Sequence, residues 1–332
     1  MTSKIREQIV ERTRLDAEGG MSGNTIERVT LRDGRTLIHK RVHRDGDWIS
    51  RATGDDGRIV KAWQAGLFDS IPITLDHAMV SVEADTDGWS VFMRDVSNDL
   101  LARDARLDRS AVSRALVALR DLHYAFWEQP LPELCSIEDR YHLLSPRTRQ
   151  REQALGNAAE WSVVGWEAFN DHVPTTIAET ILPLVEDPTP VADELRRCEQ
   201  TLVHGDLRMD NLGFRDGTVV LLDWGSQMGV APPAVDFVWF LGFDALLFDC
   251  SREDVLADFR ALYVDRFDER ALQLAIIGGF VHLGCHFGLN LLGRSPTMAR
   301  LTGDEDVKRA AAASELAWWV DKVDTALEVW SP

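Results

Sequence analysis

An aspartate, an asparagine five residues on and a second aspartate twelve beyond that stand close together in this chain. They belong to His204-Gly205-Asp206-Leu207-Arg208-Met209-Asp210-Asn211 and to a short apolar run that ends Leu221-Leu222-Asp223-Trp224-Gly225. Moving a phosphoryl group to an alcohol needs a carboxylate to orient the hydroxyl and take its proton. It also needs oxygen ligands for Mg²⁺, and positive charge where negative charge spreads in the transition state. Asp206 follows the strand-like Leu202-Val203-His204 and suits the first task. Asn211 and Asp223 are hard oxygen donors, fitted to Mg²⁺ and ill-fitted to softer metals. Arg208, two residues past the base, is placed to steady the transferred phosphate.

Those residues need a scaffold that brings them together. Leu212-Gly213-Phe214 and Val219 to Leu222, joined through Asp216-Gly217, read as a hairpin carrying Asn211 and Asp223 at its two ends. Upstream, Val29-Thr30-Leu31 and Thr36 to Val42 flank Arg32-Asp33-Gly34-Arg35 as a second hairpin. Arg58 to Phe68 has helical apolar spacing, ended by Ser70-Ile71-Pro72, and Ala78 to Ala84 and Trp89 to Met93 read as two further strands. Up to about Arg94 the pattern is a small antiparallel sheet with one helix. Beyond it the periodicity turns helical: Ser110 to Trp127, Ala158 to Phe169, Val255 to Phe267, Leu272 to Leu292 and Ala310 to Val329. Glu128 to Pro190 reads as irregular with helical pieces. The expectation is an α+β chain of two lobes, 1–94 and 95–332, with a hinge at about 93–97.

The 332 residues are 45% hydrophobic and 27% charged, as in an ordinary globular protein, and are too many for one small core. The net charge of −18 is uneven: residues 1–94 hold 14 basic against 15 acidic residues, the rest 22 against 39. That balance disfavours a nucleic-acid partner, which needs a basic surface. An acidic second half attracts a cationic small molecule, and equally serves plain solubility. Residues 1–20 lack the apolar segment of a secretory signal. Residues 271–293 carry no Asp, Glu, Lys or Arg, but glycines, Gln273, His282, His286 and Asn290 interrupt them. A buried core helix is expected there, and no membrane span. Cys135, Cys198, Cys250 and Cys285 have no paired spacing and read as reduced thiols of a cytoplasmic protein. His282 and His286, four apart, lack a carboxylate to complete a metal motif and read as core or pocket-lining residues. Trp318 and Trp319 read as packing residues.

His204-Gly205-Asp206 through Asn211, with Leu222-Asp223-Trp224, resembles the aminoglycoside phosphotransferase and choline kinase superfamily, small-molecule kinases with a protein-kinase-like fold. Gly205, where protein kinases carry Arg, and the lack of an Ala-Pro-Glu segment downstream point to that branch. The resemblance implies a bilobal fold, with the small sheet binding ATP (GTP remaining open) and the larger helical lobe holding the catalytic hairpin. It makes Asp206 the base and gives the metal ions to Asn211 and Asp223. Gly19-Gly20-Met21-Ser22-Gly23-Asn24 resembles the loop over the ATP phosphates, with Ser22 and Gly23 in contact. Lys40 resembles the strand lysine that grips the phosphates, with Arg41 as the competing choice. Phe92-Met93-Arg94-Asp95-Val96 resembles the adenine hinge, where Met93 lines the site and the backbone of Arg94 and Val96 pairs with the base. Asp236 resembles a structural acid that caps a helix and braces the loop. The helix Glu that normally pairs with the lysine is missing near Arg58; either Asp55 or Asp56 serves from the start of the helix or Lys40 is held differently, and the pair is left unassigned.

The acceptor is a small-molecule hydroxyl compound. An antibiotic or amino sugar, cationic in the aminoglycoside case, would use acids lining the cleft: Glu160, Glu167, Asp171, Asp210 and Asp244. Choline, in a metabolic kinase for choline, a sugar or a related alcohol, would use an aromatic cage of Trp161, Trp166 and Trp239. The acidic half favours the antibiotic. A nucleotide-binding regulator without turnover is the reading from another class, prompted by the missing helix Glu. The enzyme is expected as a monomer or homodimer.

Overall fold

The computed structural model describes residues 5–15, 24–43, 45–154 and 160–330. Five strands form one antiparallel sheet in the order β1-β2-β3-β6-β5: β1 (Ile9–Arg14), β2 (Thr25–Leu31), β3 (Thr36–His43), β5 (Met79–Ala84) and β6 (Gly88–Met93), with the two-residue β4 (Leu75–Asp76) outside it. The Asp33-Gly34 turn forms as expected, Gly34 taking φ +85°. β1 carries the charged run Glu-Arg-Thr-Arg with all but its first residue exposed, which hides it from a search for apolar alternation. The single helix expected here is two, α1 (Trp48–Ala52) and α2 (Arg58–Gln64), followed by a 3₁₀ turn over Leu67–Ser70. Gly66, at φ +73°, ends the α-helical geometry that apolar spacing alone would extend to Phe68.

The rest is helical around a short catalytic sheet. In chain order come α3 (Arg109–Ala125), α4 (Ile137–His142), α5 (Pro146–Ala154), α6 (Glu160–His172), α7 (Thr175–Glu186) and α8 (Thr189–Arg196). So 137–196 is mostly helix rather than irregular; its prolines sit at or near helix starts, except Pro183 inside α7. Then follow β7 (Thr201–Val203), β8 (Leu212–Arg215), β9 (Thr218–Leu221), β10 (Gly229–Ala231), α9 (Pro233–Asp244), α10 (Arg252–Leu262), α11 (Glu269–Leu291), α12 (Pro296–Arg300) and α13 (Glu305–Val329). β8 and β9 are the predicted hairpin, and β4 adds to β9 in parallel, tying the first part of the chain to the catalytic one.

One apolar core runs from Val42 of β3 to Ala326 of α13, and α11 is the axis of its helical part. The most apolar stretch of α11 is 94% buried within the protein, as expected of a core helix. Small residues let its neighbours approach: a side chain at Gly288 or Gly165 would collide with the backbone of the facing helix. The two core histidines of α11 are buried against Trp239 and Phe243.

Candidate active site

β7 delivers the catalytic loop, and the loop's backbone conformation is fixed from below. Gly205 has φ +86°, and a side chain there would run into the Gln227 carbonyl and the Arg140 guanidinium. Packing therefore explains the glycine in the motif. His204 is fully buried against Trp224, ring centroids 4.5 Å apart, and burial takes its imidazole down to about 4, so it is neutral. Its Nδ1 accepts the Asp206 backbone N–H at 3.1 Å. Histidine here shapes the turn that presents the base.

Asp236 and Asp244, two turns apart on the wholly buried α9, hold the loop at both ends. Asp236 accepts the N–H groups of His204 at 2.6 Å and Gly205 at 2.8 Å; Asp244 accepts that of Met209 at 2.7 Å. The expected bracing role of Asp236 is present, but it caps no helix, since Pro232 holds the N-cap position of α9. His123 of α3 faces Asp236 at 3.4 Å and is itself bonded to Tyr263 at 2.6 Å. Burial raises the Asp236 carboxyl, but His123 and the other charges around it hold it below its ordinary value. Asp244 lacks such a partner, and burial pushes it to about 7.

Above this support the predicted residues converge on one cleft of about 800 Å³. Asp206 is 7% exposed. Asn211 donates Nδ2 to the Asp206 carboxylate at 3.0 Å and to its carbonyl at 2.9 Å, and Arg208 Nε lies 3.2 Å from Oδ1. Burial lifts the Asp206 carboxyl above its ordinary range, only partly offset by Arg208. Asp223 ends the hairpin at φ +64°, a left-handed conformation rare outside glycine, of a kind that costs about 1–3 kcal/mol and clusters at working sites. It pairs with Lys40 of β3. Burial opposes ionisation of Asp223, but the Lys40 ammonium holds it below the usual carboxylate range.

Lys40, not Arg41, is the inward residue; Arg41 pairs with Asp87 on the exposed side at 3.0 Å. The acid expected beside Lys40 is neither Asp55 nor Asp56. Asp55 accepts the N–H groups of Gly57 and Arg58 and the Ser226 hydroxyl, each at 2.8 Å, while Asp56 pairs with Lys61 at 2.9 Å. Asp223 is the acid that pairs with Lys40, while Asp47, 3% exposed and capping α1 through Ser50 N–H at 2.8 Å, lines the cleft and adds its charge on Lys40 without an ion pair to it. The signal of Asp47 was readable, as an Asp directly before the Trp48-Ile49 helix start.

Ile26, Val42, Met79, Val91, Met93 and Leu222 give the cleft an apolar slot beside Lys40. Of the hinge residues Met93 lines it. The side chains of Arg94 and Val96 turn away from it, Arg94 pairing with Asp76 and Val96 packing against Ala78 and Val220, while the Arg94 carbonyl and Val96 N–H, the groups expected to meet the base, are not engaged by these contacts. Those side chains are therefore constrained, not free. Ser22 and Gly23 lie outside the described residues.

The expected acceptor residues do not assemble. Glu167 and Asp171 are exposed and away from the cleft, and Asp244 is buried under the loop. Among the described side chains of that set, Asp210 alone lines the cleft, already bonded to Arg208 at 3.3 Å and Arg300 at 2.7 Å. Trp166 and Trp239 are core residues, Trp166 bonded to the Leu144 carbonyl at 2.8 Å and Trp239 tilted against His282, ring centroids 4.6 Å apart. The side chains of Glu160 and Trp161 lie outside the described ones. Sequence reading missed Arg103, Arg294 and Arg300, which line the far end, and Arg140, which is 2% exposed and lies behind the loop over Trp239. Isolated arginines carry no spacing signal.

For a metal ion, Asn211 and Asp223 supply hard oxygen donors at the cleft. Among the described residues no group of three His, Cys, Asp or Glu gathers to cage one. The donor set therefore fits Mg²⁺, which keeps few protein ligands and shares the rest with phosphate oxygens.

A five-stranded antiparallel sheet and a larger helical part make up a kinase-like fold, and its cleft gathers Asp206, Asn211, Asp223 and Lys40. The model of the phosphotransferase enzyme family (APH) matches residues 19–274, and the chain belongs to that family. It is thus an enzyme, a phosphotransferase. Its structure is similar to spectinomycin phosphotransferase in complex with ADP and spectinomycin, at 12% identity, covering 97% of this chain and 94% of that one, with a TM-score of 0.52. It is also similar to a choline/ethanolamine kinase family protein from Mesorhizobium loti (13% identity, 97% and 93% covered, TM-score 0.50). A third likeness is to choline kinase LicA from Streptococcus pneumoniae (12% identity, 96% and 94% covered, TM-score 0.50). At these identities the likeness speaks for the fold. No curated protein sequence matches the chain.

Proposed function

We propose that this enzyme transfers the γ-phosphoryl group of ATP, with Mg²⁺, to a hydroxyl of a small molecule, with 1–94 as the nucleotide lobe and 95–332 as the catalytic lobe. The observation that carries the reading is the convergence of Asp206, Asn211, Asp223 and Lys40 on one cleft beside an apolar slot. ADP in the spectinomycin phosphotransferase and AMP in LicA support an adenine nucleotide. Four free cysteines, two of them buried, accord with a cytoplasmic setting.

Asp206 orients the acceptor hydroxyl and takes its proton as the oxygen bonds to phosphorus and the bond to the leaving ADP oxygen breaks. The burial that raises its pKa makes it a better proton acceptor than an exposed aspartate. Asn211 holds that carboxylate by its amide and offers Oδ1 to the metal together with Asp223. Mg²⁺, when bound, supplies the charge that screens the polyphosphate. Lys40 and Arg208 place positive charge on either side of Asp206 and Asp223.

The spectinomycin-bound relative favours an antibiotic or amino sugar, and LicA favours choline. This cleft offers neither requirement among its described residues: each carboxylate is engaged, and the far end has no aromatic cage. ADP release measured across hydroxyl compounds tests the reaction. Asp206→Ala should lower kcat by about 10²–10⁴-fold while ATP binding persists. Unchanged turnover in that variant removes Asp206 as the base.

A further inference from the structure

We propose that the acceptor is an anion, carrying a carboxylate or phosphate group besides its reacting hydroxyl, and that Arg294 and Arg300 receive that group. The proposal rests on the phosphotransferase reading of the same cleft and names the acceptor class that reading leaves open.

The chain as a whole is strongly acidic, at −18, yet its cleft is not. Lys40, Arg103, Arg208, Arg294 and Arg300 line it against the carboxylates Asp47, Asp206, Asp210 and Asp223. Every one of those carboxylates is in use. Asp47 caps α1, Asp206 is held by Asn211, Asp223 pairs with Lys40, and Asp210 is shared by Arg208 and Arg300. A polyamine or choline would find no spare acid among the described residues.

Arg208, Arg294 and Arg300 line the cleft beside Asp206 and Asp210, and of these three only Arg294 has no carboxylate partner among the described residues. Arg300 is 7% exposed at its side chain, and its Nε donates to the Arg103 carbonyl at 2.8 Å. Arg294 is exposed, and among the described residues its guanidinium has no carboxylate within 4 Å. A guanidinium presented in this way suits two-pronged recognition of a carboxylate or phosphate.

The mount is built rather than loose. Gly293, at φ +67°, turns the chain out of α11, and Arg294 N–H returns to the Leu289 carbonyl at 2.9 Å. Ser295 then caps α12 through Met298 N–H at 3.0 Å and bonds to Asn290, whose amide donates to the buried Glu315 at 3.0 Å. Thr297 donates to the Phe243 carbonyl at 3.1 Å. This polar anchor inside the core fixes the segment that carries both arginines. Such rigidity is what a recognition site requires.

The test uses the full chain with Mg·ATP and four sets of hydroxyl compounds: glycerate and gluconate, glycerol 3-phosphate and glucose 6-phosphate, glucose and glycerol, kanamycin and choline. Phosphorylation is expected in one of the first two sets, and which one separates carboxylate from phosphate. Arg294→Ala and Arg294→Glu, checked for an unchanged melting temperature, should raise KM for that acceptor about 10- to 100-fold and leave KM for ATP within about twofold. The proposal is overturned if neutral or cationic compounds are turned over as well or better. It is also overturned if no anionic compound is phosphorylated, or if the variants raise KM for ATP as much as for the acceptor. Turnover that survives in Asp206→Asn instead breaks the underlying phosphotransferase mechanism, so the two failures read differently.

Discussion

Asp206 and Asp223 above the catalytic loop, and Asp236 and Asp244 beneath it, are the same residue type in surroundings that give them opposite work. The upper pair faces the cleft and is met by side-chain cations and an amide: Asn211 and Arg208 on Asp206, Lys40 on Asp223. The lower pair faces backbone, and three loop N–H groups end on it. A carboxylate can thus hold a chain in shape or take part in chemistry, and its partners decide which. Backbone donors are fixed and neutral, so they immobilise; mobile cations can exchange for a metal or a phosphate.

If that division is right, changes above should cost rate and changes below should cost stability. After Asp206→Ala, the largest effect is expected from Lys40→Met, which should lower kcat/KM by about 10²–10³-fold, as loss of one electrostatic contact to a transferring group does, with little change in melting temperature. Asp223, freed of the ammonium that keeps its pKa low, should also titrate higher, so the acid limb of the rate profile moves up in pH. A collapse of stability in this variant would break the division from above.

Asp236→Asn tests it from below. It turns an amide N–H₂ toward donors that need an acceptor and weakens two charge-assisted bonds worth about 1.5–3 kcal/mol each. Thermal melting should fall by several degrees, with residual activity in the folded fraction. An unchanged melting curve with lost activity would assign Asp236 to the chemistry instead.

The smallest effect separates the two lower acids. Asp244 keeps its proton to about 7 in the folded protein, while in the unfolded chain it loses it near its ordinary 3.8. Between those values the folded state binds more protons, so stability is lost as pH rises. Asp244→Asn should flatten that slope by on the order of 2 kcal/mol between pH 5 and 7, read from melting temperatures across the range. An unaltered slope would mean the group is not the one titrating; Glu315, also pushed to about 7 by burial, is then the source.

Much of this was legible before any coordinates. Asp206, Asn211 and Asp223 lie within eighteen residues, so local spacing and one tight hairpin were enough to bring them together. Lys40 was legible from strand alternation and from its place on the second strand of a hairpin. The edge strand β1 was not, because an exposed edge pairs through backbone and leaves no apolar period to read. The acidic-cleft expectation failed for a related reason. Net charge over residues 95–332 reports composition, whereas a site's charge depends on which few side chains turn inward.

The sequence by itself determined that Asp206, Asn211 and Asp223 meet, because the loop after β7 runs straight into a hairpin whose geometry short-range turn rules dictate. It also determined the buried character of α11, since a stretch without charge must pack against protein or lipid. Only the tertiary structure decided what serves Lys40, what holds the loop and what the acceptor meets. Lys40 reaches Asp223, Asp236 reaches Gly205 and Arg300 reaches Asp210 across folds of the chain, the last over 90 residues. No local pattern records such a meeting, because the packing of α9, α11 and α12 around one core brings those side chains together.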